Sequence, residues 1–511
     1  MKRKWIGVFF CLLFLMVFIT GCAGTEGKTD ENVTVGKTNT ELAKRYGATV
    51  IELDNSQILV DGEAAETMNA DDVLEGVTKE TPAVYAANDV VFYLEGQGFM
   101  YGAGSEEDEH SQKEADAHTV VHISKPGSYV ISGTLSAGQI AVDLGEDAKE
   151  DEGAVVTLIL NNTDITCSVA PAVIFYNVYE CSSDEEEDAT KDVDTQNAGA
   201  NVIIADGSVN QVNGSYVARI YKSVELNEDG TEVVENKKLH KYDGAFYSKR
   251  SMNVSGEEKG NGVLNIQAEN EGLDSELHLT INGGIINITA GNDGINTNED
   301  NVSVTTVNGG TLNIVVDGAT KEGDGIDSNG WLVINGGTVT AQACSFSQDA
   351  GIDSDKGIYL NGGSVWATGS MYDEIAEDSQ NYIAFSCDEK QTGGNTYTIK
   401  DEEGNTIGSF TSVNDFTILI YSDETLQEGS YSLWNEENKV SVQTTNMGVM
   451  GGRPPHMPDG GEPPKMPDGE QPPEMPEGER PPEKGDETEY VPQGNPMQNG
   501  KGDFMDLDKM K

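Results

Sequence analysis

The tripeptide Asn-Gly-Gly recurs at Asn282, Asn308, Asn335 and Asn361, at spacings of 26, 27 and 26 residues. An alternating run precedes each copy ("LHLTI", "VSVTTV", "WLVI", "IYL") and another follows it ("IINITA", "TLNIVV", "TVTAQA", "SVWATG"). If Ile281, Val307, Ile334 and Leu360 point inward, then so do Leu279, Leu332 and Ile358. Beyond the turn, Ile286, Leu312, Val339 and Val365 also fall inside. Outside lie Thr280, Thr306, Val333 and Tyr359, followed by Asn287, Asn313, Thr340 and Trp366. This is the period-two pattern of strands with one buried face. Two or three short strands in each repeat predict the coils of a parallel β-helix, in which equivalent residues stack in columns. The Asn-Gly-Gly turns then become an Asn ladder, with Gly supplying positive φ. A propeller blade needs a longer period of about 40 residues, and two-residue hairpin signals are not regularly placed.

Less regular coils extend upstream through "PGSYVISGTLSAGQIAVDL", "AVVTLILNNTDIT", "ANVIIADGSVNQVNG" and "DGAFYSKRSMNVSG", with Phe246 in the place later taken by Asp. Acidic insertions interrupt them at 182–196 and around Glu225–Lys241. After Gly369 the pattern becomes that of antiparallel strands. The expected organisation is a lipoprotein signal at 1–22 and a linker at 23–45. An N-terminal β segment or cap covers 46–116, and the parallel β-helix 117–375. A small antiparallel β region at 376–447 and a disordered Pro/Gly/Met-rich tail at 448–511 complete an all-β solenoid. In that tail a nine-residue cycle ("PPHMPDGGE", "PPKMPDGEQ", "PPEMPEGER") precludes both helix and ladder.

Stacked coils make two acidic columns. One holds Asp274, Asn296, Asp327 and Asp353; the other holds Asp243, Glu271, Asp293 and Asp324, with Asp349 displaced by one and Asp355 adding a carboxylate in the last coil. Two ionised carboxylates about 4.8 Å apart repel by roughly 3.5 kcal/mol at an effective dielectric of 20. Calcium resolves this, because it is a hard cation taking six to eight oxygen ligands. The backbone carbonyls of Gly294, Gly325 and Gly351 are candidates to complete its shell. The metal-ligating candidates are Asp274, Asp293, Asn296, Asp324, Asp327, Asp353 and Asp355. The alternative is that these side chains only cap their own turns.

The chain carries 88 acidic against 32 basic residues, a net charge of −56, which excludes binding to nucleic-acid phosphates and favours cations. Its first residues are basic (Lys2, Arg3, Lys4), an apolar run follows, and Ile19-Thr20-Gly21-Cys22 closes the segment like a bacterial lipobox. This predicts lipidation at Cys22, a membrane partner through that anchor, and an extracytoplasmic location. Cys167, Cys181, Cys344 and Cys387 are too widely spaced for a metal motif or a dense disulfide framework. In "HTVVH", His118 and His122 are a candidate zinc pair without a third ligand nearby in sequence.

The motifs "KPGSYVISGTLSAGQIAVDL", "LILNNTDIT", "GLDSELHLTINGG", "DGIDSNGWLVINGG" and "GIDSDKGIYLNGG" resemble those of bacterial secreted carbohydrate-binding β-helix proteins, which look like polysaccharide lyases in fold. The resemblance covers about Ala117 to Gly369. It implies a right-handed β-helix, calcium held by stacked Asp residues, and affinity for cellulose-like or uronate-rich polysaccharide. Outward aromatics (Trp331, Tyr359, Trp366) are candidates to stack on sugar rings. The expected function is thus a lipid-anchored, non-catalytic binder of plant or acidic polysaccharide. A calcium-dependent lyase using Lys249 and Arg250 is one alternative, and a structural adhesin is another.

Overall fold

A computed structural model of the chain describes residues 37–68, 77–88, 112–217, 221–226, 233–238 and 242–448, with backbone only for 221–226 and 233–238. The signal segment with Cys22, the linker before residue 37, the tail after 448 and much of the second acidic insertion lie outside them. Among the described residues no helix is long and apolar enough to cross a membrane.

The described chain is nearly all β, and the repeat appears as three parallel ladders. The first stacks Met252–Gly256, His278–Ile281, Val304–Val307, Trp331–Ile334 and Ile358–Leu360. The second stacks Val263–Ala268, Ile285–Ala290, Thr311–Val316, Thr338–Gln342 and Ser364–Gly369. The third is shorter and joins Gly138–Asp143, Val173–Asn177, Gly244–Ser248, Glu271–Ser275, Ile295–Thr297 and Ile326–Ser328. Residues one repeat apart face each other without slippage along most of the length, because a one-residue slip would turn every apolar side chain outward. Ile281, Ile334, Leu360, Leu312, Val339 and Val365 are all buried in one continuous cluster, each contributing about 1.5–3 kcal/mol by leaving water.

The turns stack as their sequence predicts. Asn308 Nδ2 donates to Asn282 Oδ1 (2.9 Å), Asn335 to Asn308 (2.9 Å) and Asn361 to Asn335 (2.8 Å). The second glycine of each turn has positive φ: 94° at Gly284, 89° at Gly310, 86° at Gly337 and 77° at Gly363. A second amide row, not anticipated, runs Asn313 to Asn287 to Asn265 on the face of the second ladder.

Both ends of the stack are covered. Phe416–Asp423 lies antiparallel to Ser364–Gly369 and to Tyr382–Gln391, so the last rung offers no open edge on that side. A four-stranded antiparallel sheet follows (Thr396–Lys400, Thr406–Thr411, Ser430–Asn435, Asn438–Thr444). At the other end Thr49–Leu53 pairs in parallel with Gly127–Leu135. Part of the segment expected as linker is helical: Asn39–Tyr46 starts at a Thr38/Glu41 capping box and ends at Gly47 in the left-handed conformation. Its Leu42 packs against Val130, Ile159 and Ala205.

Gly325 illustrates why a glycine recurs at this step of successive rungs (Gly272, Gly294, Gly325, Gly351). A Cβ there would run into the Gly351 carbonyl of the next rung. Gly325→Ala should therefore cost about 1–3 kcal/mol, as overpacking does. Gly283→Ala, whose nearest neighbour would be 3.5 Å away, should be close to neutral. Urea denaturation of the two variants side by side measures the difference; equal midpoints would refute the close-approach account.

Candidate functional site

In the third ladder Leu273, Ile295 and Ile326 are buried, and alternation places Asp274, Asn296 and Asp327 together in one outward column, in direct register. Asp353 extends it, its N–H donating to the Ile326 carbonyl at 2.8 Å. The residue before Asp274 in the column is Tyr247; Phe246 pairs with Leu273 and is buried. This corrects the sequence alignment. The span from Asp243 to Tyr247 is one residue longer than that from Glu271 to Asp274, so matching the first acids misplaces the strand by one.

The carboxylates of Asp324, Asp327 and Asp353 converge, with one oxygen from each lying within 4.8 Å of the others. Asp293 and Asp324 also brace the backbone. Asp293 Oδ1 accepts from the Asp324 N–H at 2.7 Å, and Asp324 Oδ1 from the Ala350 N–H. Asp349 Oδ2 accepts from the Gly323 N–H at 3.1 Å. Turn capping and convergence thus coexist in Asp324. Asp355 is exposed and is not part of the converging set. The candidate carbonyl ligands already carry ladder hydrogen bonds. Gly294, Gly325 and Gly351 O accept from Leu273, Ile295 and Ile326 N–H at 3.1, 3.2 and 3.2 Å, so they serve the ladder itself.

Two rungs away, beyond Asp293 and Asn296, Glu271 and Asp274 form the N-terminal end of the acidic row, with 4% and 0% of their surface exposed. Asn296 Nδ2 donates to Glu271 Oε1 (3.0 Å), and Asn298 Nδ2 donates to Asp274 Oδ1 (2.6 Å). Glu271 Oε2, Asp274 Oδ2 and Asn296 Oδ1 are buried without a hydrogen-bond partner. Tyr247 Oη donates to Glu276 Oε1 at 2.7 Å and closes this end. Asn298 escaped notice in the sequence, although it lies two residues beyond Asn296 and so on the same side of the strand.

Burial disfavours the charged form of these acids, and neighbouring carboxylates add to the effect. Desolvation first, then Asp243, push Glu271 up to about 8. Desolvation, then Glu271, hold Asp274 well above the ordinary carboxylate range, and the same two causes act on Asp293. Asp324 is raised by desolvation and then by Asp293. A buried, all-oxygen, mutually repelling set with spare lone pairs is the donor chemistry that a hard divalent cation satisfies. The residues present fit such an ion.

The aromatic candidates part company. Trp366 stacks on Phe410 (centroids 5.5 Å) and lies 4.5 Å from Tyr421, so it packs against the C-terminal sheet's core instead of presenting a face to solvent. The strand is outward there, but the antiparallel cap covers it. Trp331 has Lys356 Nζ 5.0 Å above its ring, and Tyr359 has Lys191 Nζ at 5.0 Å. Lys249 lies over Tyr176 at 4.3 Å, a structural use of that cation. Arg250 is half-buried, and its carbonyl accepts from Ser248 and Ser275. His118 accepts from the Ser168 N–H through Nε2, with Nδ1 2.8 Å from the Glu114 carbonyl, while His122 stacks on Tyr85. Both His118 ring nitrogens are therefore occupied, which removes it as a zinc ligand. Cys167, Cys181, Cys344 and Cys387 are free.

Thr280 and Val333 point outward as expected, yet both are buried. The cover for this face comes in part from the acidic insertion. Thr195 Oγ1 bonds Asn253 Oδ1 and Thr280 Oγ1, both at 2.7 Å, and Asn253 Nδ2 donates to the Thr195 carbonyl at 2.7 Å. Between the insertion and the Asn ladder runs a polar cleft of about 400 Å³.

No curated protein matches this chain. Among solved structures, a polysaccharide lyase-like protein from C. thermocellum, determined as a gadolinium derivative, is similar over 62% of this chain and 93% of its own, with 19% identity and a TM-score of 0.32, a likeness too loose to carry an argument. The model of the carbohydrate-binding domain-containing protein family matches residues 117–418, more than half of the 511 residues, and the chain belongs to that family.

Proposed function

We propose that the protein is a non-catalytic polysaccharide-binding protein whose stacked carboxylates hold calcium, with its repeats wound as a right-handed parallel β-helix. The convergence of Asp324, Asp327 and Asp353 beside a buried row of unsatisfied carboxylate oxygens carries the calcium reading. Asp274, Asp293, Asn296 and Glu271 extend the same row toward the N-terminal side. The ion neutralises charge that otherwise has to be removed by protonation. Because these acids are largely buried, the ion's first role is to hold adjacent repeats together.

The ligand is a polysaccharide, which the family's carbohydrate-binding description supports, and the sequence resemblance suggests a plant-type one, cellulose-like or uronate-rich. The protein acts on the extracytoplasmic side, tethered through lipidated Cys22, as its lipobox-like sequence suggests.

The sign of the pH effect follows from the raised acids. The Glu271 value in the folded protein, about 8, lies above its ordinary 4.5. Its contribution to stability is therefore fully present below about 4.5 and is lost as pH rises through about 8. In chelator, the thermal midpoint should fall between pH 5 and pH 8.5, and millimolar calcium should abolish that fall. A midpoint indifferent to both pH and calcium would sink the proposal.

Asp327→Asn and Asp353→Asn remove charge at nearly constant shape. Each should leave the calcium-free protein folded and strip away most of the calcium-induced rise in midpoint. At calcium 100-fold above its dissociation constant that rise corresponds to about 2.7 kcal/mol. Calorimetric titration of wild type and variants provides the direct check, and undiminished binding in both variants would move the ion elsewhere.

A further inference from the structure

The acidic row is largely buried, whereas the cleft over the first ladder is open and has no assigned role. One wall is the insertion from Lys191 to Gln196, and the other is the ladder of Asn282, Asn308, Asn335 and Asn361. We infer that this cleft is the glycan subsite, and that it takes an extended, uncharged polysaccharide laid along the stacking axis, independently of the metal row; this rests on the carbohydrate-binding reading above.

Three observations combine. First, each carboxamide has two N–H donors and a carbonyl with two acceptor positions. The ladder bonds consume one donor and one acceptor between neighbouring rungs, so the exposed amides still present a donor and an acceptor at each inner step. Steps of about 4.8 Å are comparable to the advance of one ring in an extended glycan chain, whose hydroxyls offer the complementary mixture of donors and acceptors.

Second, the opposite wall is fixed. Thr195 ties it to Asn253 and Thr280, so little ordering remains for the ligand to impose. Outward Tyr359 continues the row beyond Val333, and Lys191 bridges to it from the insertion.

Third, the charge is wrong for a polyanion. Among the described residues lining the cleft the one cation, Lys191, is paired with Asp192 at 2.8 Å, and Asp194 adds a further carboxylate. Uronate carboxylates would meet repulsion there without a free counter-charge, whereas neutral hydroxyls would not.

The test is affinity electrophoresis of the full chain, with calcium present throughout, in gels containing hydroxyethylcellulose, galactomannan or polygalacturonate. Wild type should be retarded by at least one neutral polymer. Thr306→Trp, which fills the cleft from its half-buried floor, and Asn335→Asp, which replaces an exposed donor by a charge, should each weaken that retardation about tenfold, equivalent to one good hydrogen bond. Thr340→Val, on the second ladder and outside the cleft, should retain it. Thermal midpoints, with and without calcium, establish that each variant is folded and that the metal row is untouched. Folded variants that bind neutral polymer like wild type would overturn the assignment of the cleft. Retardation by polygalacturonate alone would overturn it too, while leaving the protein a carbohydrate binder. Failure with all three polymers would overturn both readings.

Discussion

Parallel pairing of near-identical repeats is the constraint on which the molecule depends. Once Leu273, Ile295 and Ile326 are placed in register, every other residue of the rung is also placed next to its counterpart. Good neighbours become ladders, as with Asn282 to Asn361 and Asn265 to Asn313. Bad neighbours become columns of like charge. The fold cannot have one without the other, because both follow from the same backbone hydrogen bonding between rungs.

The two outward faces answer this constraint differently. On the third ladder, carboxylates are buried side by side, and each unprotonated group raises the cost of ionising the next. Asn296 and Asn298 relieve two of the oxygens and leave others open, so the row is coherent chemistry only with protons or a cation. On the first ladder, the outward residues are neutral, and the insertion folds over them through Thr195. One face thus buries its carboxylates, while the other lines an open polar cleft with uncharged ladder residues facing a charged insertion. In the function proposed above, this separation would let a cation hold the stack without occupying the surface that a ligand can reach.

Much of this was legible in the chain. The period, the inward set from Leu279 to Val365, the Asn turns and the pairing of Asp274, Asn296 and Asp327 all followed from spacing and alternation. The helix Asn39–Tyr46 was also legible, since Thr38 and Glu41 form a capping box and Gly47 stops the helix; reading 23–45 as a linker passed over that local signal. The exchange of Phe246 for Tyr247 in the column was harder, because one additional residue between Asp243 and the strand shifts the count without disturbing the composition.

Other features were fixed only by long-range packing. Whether an outward residue is wet depends on what lies over it, and nothing within the strand records that. Trp366 is covered by Phe410 and Tyr421, 44 and 55 residues later, Thr280 by an insertion 85 residues earlier, and Asp355 by too little to bury it. The glycine carbonyls accept from N–H groups of the neighbouring rung, a partner that only the stacked structure supplies. Sequence determined which residues recur and therefore which must stack, since periodicity is a local property of the chain. The tertiary structure alone decided which stacked groups are dry, paired or accessible, because solvent exclusion and electrostatic burial are set by distant segments brought together.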